Sequence, residues 1–137
     1  MSFNATLTVE DKTFRVFSFD YSAYRDVDKF GRPTSVIYGV KMIMEIEHKP
    51  DCVMLHEWAY KNYEVKGGSV LFMKRDSQYQ KDIEFRFKES YISKISLYFA
   101  NTGDQPLTQR LEIISGNIEI ESEGKLAMYD GEMSQVN

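Results

Sequence analysis

The chain is poor in cysteine, in histidine and in clustered positive charge. One cysteine in 137 residues, Cys52, leaves no intrachain disulfide framework and fits folding in a reducing compartment. Lys74 and Arg75 are the only adjacent basic residues, and 17 Lys and Arg stand against 21 Asp and Glu for a net charge of −4. Nucleic-acid binding needs a basic patch that releases counterions from phosphate, so that function is excluded. No apolar run approaches the roughly 18 residues of a membrane-spanning helix. The opening MSFNATLTVE has neither the basic start nor the apolar stretch of a signal peptide. The expectation is no membrane insertion, and any export by a route that needs no signal peptide.

Catalytic signatures are scarce too. His56-Glu57-Trp58-Ala59-Tyr60 begins like the zinc-binding H-E-x-x-H, but Tyr60 stands where the second histidine is required. Cys52 and His56 share an i,i+4 spacing, yet two ligands do not close a tetrahedral metal site. They read as a buried thiol and a surface or interface histidine. With only His48 and His56 available and no G-x-S-x-G elbow, nucleophilic catalysis is not expected. Glu45 and Glu47 lie on one strand face and read as a solvated strip. Gly67-Gly68 lacks the G-K-[ST] ending of a phosphate loop. The reading is no catalytic residue, no cofactor and no metal.

What the chain does have is aromatic content and alternation. Nine Phe, nine Tyr and one Trp suit pleated, half-buried surfaces. Phe3, Ala5, Leu7 and Val9 alternate with polar residues, and after Asp11-Lys12 a second run extends from Thr13 to about Tyr24, suggesting a hairpin. Val36 to Glu47 alternates again, with Val36, Tyr38, Val40, Met42, Met44 and Ile46 on one side. Asp51 is placed to cap the one helix expected, over about 51–62, with Met54, Leu55, Trp58 and Ala59 as its apolar stripe. Beyond Gly67-Gly68 further strands are expected at Ser69–Lys74, Lys81–Lys88, Tyr91–Ala100, Pro106–Ile114 and Asn117–Glu121, with turns at Arg75–Tyr79 and Asn101–Gln105. A short last strand with a frayed end fits Gly124–Asn137. Around eight strands and one helix imply a mainly β chain, a small antiparallel barrel or two-sheet sandwich, in one domain spanning 1–137. Such a fold leaves edges to pair with a neighbour.

Two segments stand out as surfaces. In Asp82-Ile83-Glu84-Phe85-Arg86-Phe87-Lys88 the charges Asp82, Glu84, Arg86 and Lys88 fall on one face, which reads as a wetted wall, lining a channel or facing outward. The segment Arg25, Asp26, Val27, Asp28, Lys29, Phe30, Gly31, Arg32, Pro33, Thr34 has no periodicity and is long for a connection in so small a domain. Phe30, an aromatic ringed by charge, is suited to anchoring in a partner's pocket.

The stretch Tyr21-Ser22 through Arg25-Asp26-Val27-Asp28 to Gly31-Arg32-Pro33 resembles the type VI secretion tube proteins, the Hcp family, in its Bacteroidetes branch. Met1-Ser2-Phe3, Phe72-Met73-Lys74-Arg75-Asp76, Tyr91-Ile92 and Pro106-Leu107-Thr108 resemble the same family in order. Val40 stands where that family suggests a second glycine after Gly39, and Ser90 where a glycine usually precedes Tyr91. The resemblance implies a structural subunit whose homohexameric rings stack into a hollow needle inside a contractile sheath. A spike protein at the tip, a baseplate and effector proteins in the lumen would be its partners. It also implies assembly in the bacterial cytoplasm, export through the type VI system, and a ring-to-ring role for Arg25–Pro33. A tail-tube protein of a phage-like contractile particle and a small-molecule-binding β-barrel carrier remain open alternatives.

Overall fold

The computed structural model describes residues 3–37, 39–74, 80–104 and 106–131. The opening alternation becomes β1 (Phe3–Val9), and the run after the break becomes β2 (Lys12–Tyr24), with Val9 opposite Lys12. Leu7 and Val9 are fully buried, as the alternation requires. Along β2 the inward positions change phase, from Phe14 and Val16 to Phe19 and Tyr21. A β-bulge is the cause: Val16 pairs with Ile46 and Ser18 with Glu45, leaving Phe17 as the extra residue. The bulge lets β2 leave β1 and run its second half along β3 (Gly39–Glu47).

In β3 the expected inward face is buried at Val40, Met42, Met44 and Ile46. The strand begins at Gly39 rather than Val36, and Tyr38 lies outside the described residues. Val40, in the family's second glycine position, packs into the core. The helix α1 (Cys52–Tyr60) is shorter than the 51–62 expected, because Lys61 is already extended. Asp51 occupies the N-cap position but makes no side-chain cap bond; its carboxylate lies 3.8 Å from Lys49 Nζ and 3.9 Å from Lys12 Nζ. Leu55 and Trp58 are buried with Cys52, while Met54 and Ala59 are half-buried. Trp58 Nε1 donates to the Glu64 carbonyl at 3.0 Å, fixing the path out of the helix.

β4 (Lys66–Lys74) begins before Gly67-Gly68. These glycines are strand residues at a close approach: a Cβ on Gly68 would lie 2.3 Å from the Thr8 carbonyl oxygen. The remaining expected strands merge into β5 (Gln80–Phe99) and β6 (Leu107–Ser122), followed by β7 (Lys125–Asp130). The breaks expected near Ser90 and Gly116 are bends that both strands share. Glu89 takes a positive φ of 50°, and Ser90 pairs with Ser115 across the bend. The Ser90 and Ser115 hydroxyls lie 2.9 Å apart, and Ser90 is fully buried, so a hydrogen-bonded serine serves where the family pattern has glycine. Arg75–Tyr79 and Gln105, in the expected turns, and residues 132–137 lie outside the described residues.

All pairings are antiparallel, in the order β3-β2-β1-β4-β5-β6-β7, and a further β3–β6 pairing closes the first six strands into a barrel. The bends divide the barrel into two faces. One holds the second half of β2, β3, the first half of β6 and the second half of β5. The other holds β1, β4 and the remaining halves, with β7 added to β6. Phe14, Met42, Met44, Leu111, Ile113, Phe87 and Trp58 form the core between them.

Candidate assembly surfaces

The segment after β2 is a small ordered hairpin rather than an open loop. Val27 and Pro33 form an antiparallel bridge, and Asp28 N donates to the Arg32 carbonyl at 2.8 Å. One oxygen of the Asp28 carboxylate accepts from the backbone N–H of Phe30 and of Arg32, each at 2.9 Å, and the other from Arg32 Nε at 2.9 Å. An aspartate bonding its own downstream backbone is the usual way such turns are held. The Arg32 N–H bond is the leading reason its pKa lies below the ordinary aspartate value. Gly31 supplies the left-handed step at φ 83°. Asp26 N donates to Ser35 Oγ at 2.8 Å and Thr34 N to the Asp26 carbonyl at 2.8 Å, tying down the base. At the tip Phe30 is 71% exposed, with Lys29 Nζ and Arg32 Cζ each 5.2 Å from its ring centroid. Arg25 lies at the base.

On β5 the residues Glu84, Arg86 and Lys88 share the outer face, with Phe85 and Phe87 buried beneath them, while Asp82, expected on the same face, falls at a β-bulge between Lys81 and Ile83 and lines an open cavity with Phe19, Ile83 and Phe85. Arg86 joins three carboxylates: Nη1 donates to Glu84 and Glu121 at 2.8 Å each, and Nε to Glu119 at 3.2 Å. Hydrogen bonding to Glu121 is the largest reason the guanidinium is held even more firmly protonated than usual, and it depresses the Glu121 carboxyl in return. Lys74 pairs with Asp82 at 3.4 Å and Lys81 with Glu84 at 3.1 Å. The acidic partners Glu119 and Glu121 come from β6, and the expectation from β5 alone did not include them.

The two rims of the four-stranded face are the remaining surface. β1 pairs with β2 only as far as Val16, and β4 pairs with β5 only as far as Ser90. Among the described residues no strand pairs with the outer edge of β2 from Ser18 to Ala23, or with that of β5 from Tyr91 to Phe99.

The family model described as Hemolysin coregulated protein Hcp (TssD) matches residues 1–126. The chain belongs to this family. It is a tube subunit of a type VI secretion system, in a family of structural proteins secreted by such systems. Among solved structures it is similar to Hcp1 from Flavobacterium johnsoniae, at 32% identity and TM-score 0.78 over 90% of this chain and 98% of that one. Hcp1 from Salmonella typhimurium shares the fold at 9% identity and TM-score 0.77, covering 97% of this chain and 98% of that one. The sheath-tube complex of an extracellular contractile injection system shares it at 13% identity and TM-score 0.59, covering 86% and 88% respectively. No curated protein sequence matches the chain.

The residues weighed for chemistry have structural work in this Hcp-family fold. Cys52 is buried, its thiol directed at the Glu47 carbonyl at 3.4 Å, and burial pushes its pKa up. Gln109 sits between the histidines, 2.9 Å from His56 Nε2 and 3.1 Å from His48 Nδ1, linking α1 to β6. Glu45 accepts from Thr108 Oγ1 and Arg110 Nε, and Glu47 from Arg15 N. No group of three or more metal-capable side chains occurs among the described residues.

Proposed function

We propose that six copies of this chain close into a ring by pairing the rim of β2 in one copy with the rim of β5 in the next. The rings then stack into the hollow inner tube. One observation carries this reading: in the order β2, β3, β6, β5 every neighbour is antiparallel, so the two rim strands point in opposite directions. A rotated copy therefore offers β5 an antiparallel β2, and the sheet continues around a closed ring. Closure also removes two exposed templates for uncontrolled strand addition.

In that arrangement the four-stranded face lines the channel. Asp20, Lys41, Glu45, Lys94, Arg110 and Glu112 give it both signs of charge, which resists adhesion of passing cargo. The face of Glu84, Arg86 and Lys88 becomes the wetted outer wall, with Asp82 at its edge beside the cavity. The hairpin Arg25–Pro33 joins one ring to the next, its order lowering the entropy cost of docking. The whole chain acts as one tube-protein domain, without catalytic activity, cofactor or metal. Its partners are the sheath around the tube, the spike and baseplate at its ends, and effector proteins in the lumen. Assembly takes place in the bacterial cytoplasm, and export follows without a signal peptide.

Light scattering at micromolar concentration is expected to give about six times the 16.0 kDa monomer mass, and negative-stain images sixfold rings with a central hole. A monomer under those conditions refutes the ring and favours a carrier.

A further inference from the structure

Two apolar features are left open to solvent among the described residues. The first is the outer face of α1, where Val53 and Tyr60 are exposed with Glu57 between them; Tyr63 follows, 89% exposed. The spacing i, i+4, i+7 sets the three helical residues in one stripe. The second is an open cavity of about 410 Å³ beneath the unpaired half of β2, lined by Phe19, Tyr21, Phe72, Asp82, Ile83 and Phe85. The Phe19, Phe72 and Phe85 rings lie 5.0 to 6.1 Å apart and form its floor.

Their positions are related through the rims. The end of α1 lies beside the start of the unpaired half of β5, where Trp58, Ala59, Tyr63, Tyr91 and Ile92 line one open pocket. Phe19 and Tyr21 belong to the unpaired half of β2. If β5 of one copy pairs with β2 of the next, the layer behind β5 is set against the layer beneath β2. From this we infer that the Val53–Tyr60 face of α1, with Tyr63, packs into the aromatic cavity of the neighbouring copy. The contact rests on the edge-paired ring proposed above and gives it a second layer.

The charges around the contact agree. Glu57, Lys61 and Glu64 flank the tyrosines, with Lys61 3.7 Å and 3.5 Å from the two carboxylates. Lys74 and Asp82 stand together at the cavity. Each side carries both signs, so lysine and carboxylate can exchange partners across the joint. Two tyrosines bury about 150–250 Å² each, short of the ~800 Å² per partner of a standard interface. The contact therefore reinforces the strand pairing and does not replace it.

The test joins two positions that meet only between copies. In a Cys52→Ala background, Tyr60→Cys with Ile83→Cys in the same chain is treated with a short bis-maleimide. A ladder of products up to the full ring is expected, with each single-cysteine chain giving none. Separately, Tyr60→Ser with Tyr63→Ser alters exposed residues, so the monomer's circular dichroism stays that of wild type. Its ring is expected to dissociate at a concentration at least tenfold higher, read by mass photometry. Wild-type rings with no ladder and an unshifted dissociation point overturn the contact while leaving the ring intact. An intrachain product, seen as a shifted monomer band, also overturns it. Absence of wild-type rings instead defeats the edge pairing and this contact with it.

Discussion

Replacing Gly68 by alanine adds one methyl group where two backbones meet. Its φ is ordinary for an L residue, so the cost comes from space rather than conformation. The added Cβ would lie 2.3 Å from the Thr8 carbonyl oxygen and 2.8 Å from Cζ of Phe87, against ordinary carbon contacts of roughly 3.5–4.0 Å. Thr8 belongs to the strand paired with β4, and Phe87 is a fully buried core ring, so neither can swing aside. Overpacking of this kind costs about 1–3 kcal/mol, and parting β1 from β4 sacrifices one or two ladder bonds at about 0.5–1.5 kcal/mol each. Gly68→Ala is therefore expected to destabilise by about 2–4 kcal/mol, a sizeable part of the roughly 5–15 kcal/mol a domain has. At roughly 4 °C per kcal/mol for a chain of this length, Tm should fall by roughly 8–16 °C. Urea unfolding followed by the buried Trp58, at one fixed protein concentration, should show a lower midpoint with unchanged slope. Gly39→Ala is the control. There the obstacle is the far end of the Tyr24 side chain at 2.4 Å, and no backbone carbonyl stands in the way, so the cost should be smaller than at Gly68, under about 1 kcal/mol. A loss below about 0.5 kcal/mol at Gly68, or equal losses at both sites, refutes the reasoning.

Three further outcomes are expected. Asp28→Asn keeps an oxygen for the Phe30 and Arg32 amides but loses the charged bond to Arg32 Nε; rings should form normally, tubes should not, and hydrogen exchange at those amides should quicken. Because the Asp28 pKa is depressed in the folded chain, wild-type hairpin order should persist above the ordinary aspartate pKa and fade as pH falls through the lowered value, read by the same exchange. Arg86→Ala leaves Glu84, Glu119 and Glu121 facing one another, so it should lower Tm more than Glu84→Ala with Arg86→Ala, by a margin that shrinks in high salt, while both variants still form rings. Replacing residues 26–33 by a two-residue turn should leave isolated rings intact and abolish tubes in electron micrographs; full-length tubes would reduce the segment to a connector.

The strand faces were legible because alternation records burial directly, as at Leu7 and Val9 or Val40 through Ile46. Even the β2 bulge left its mark in the adjacent apolar pair Val16-Phe17. Local signals misled where one residue type serves two purposes. Gly67-Gly68 and Gly116 look like turns but sit within paired strands, and Asp51 looks like a cap but engages lysines instead. The Arg25–Pro33 segment was legible by its lack of period, while the Asp28 bonding that orders it depends on side-chain geometry no spacing reveals. The rims were illegible, since an edge is defined by what fails to pair. That is decided by the contact of β3 with β6, whose residues are more than sixty positions apart in the chain.

The shared bend at Ser90 and Gly116 has a mechanical consequence. β5 and β6 each run through both faces of the barrel, so the two walls are joined by continuous covalent chain as well as by side-chain packing. A load applied to one wall passes to the other through two backbones, whose failure would require drawing a long strand lengthwise past its neighbours. Many hydrogen bonds would then resist together rather than opening one after another. A subunit laminated in this way delaminates reluctantly, which suits a part that is pushed.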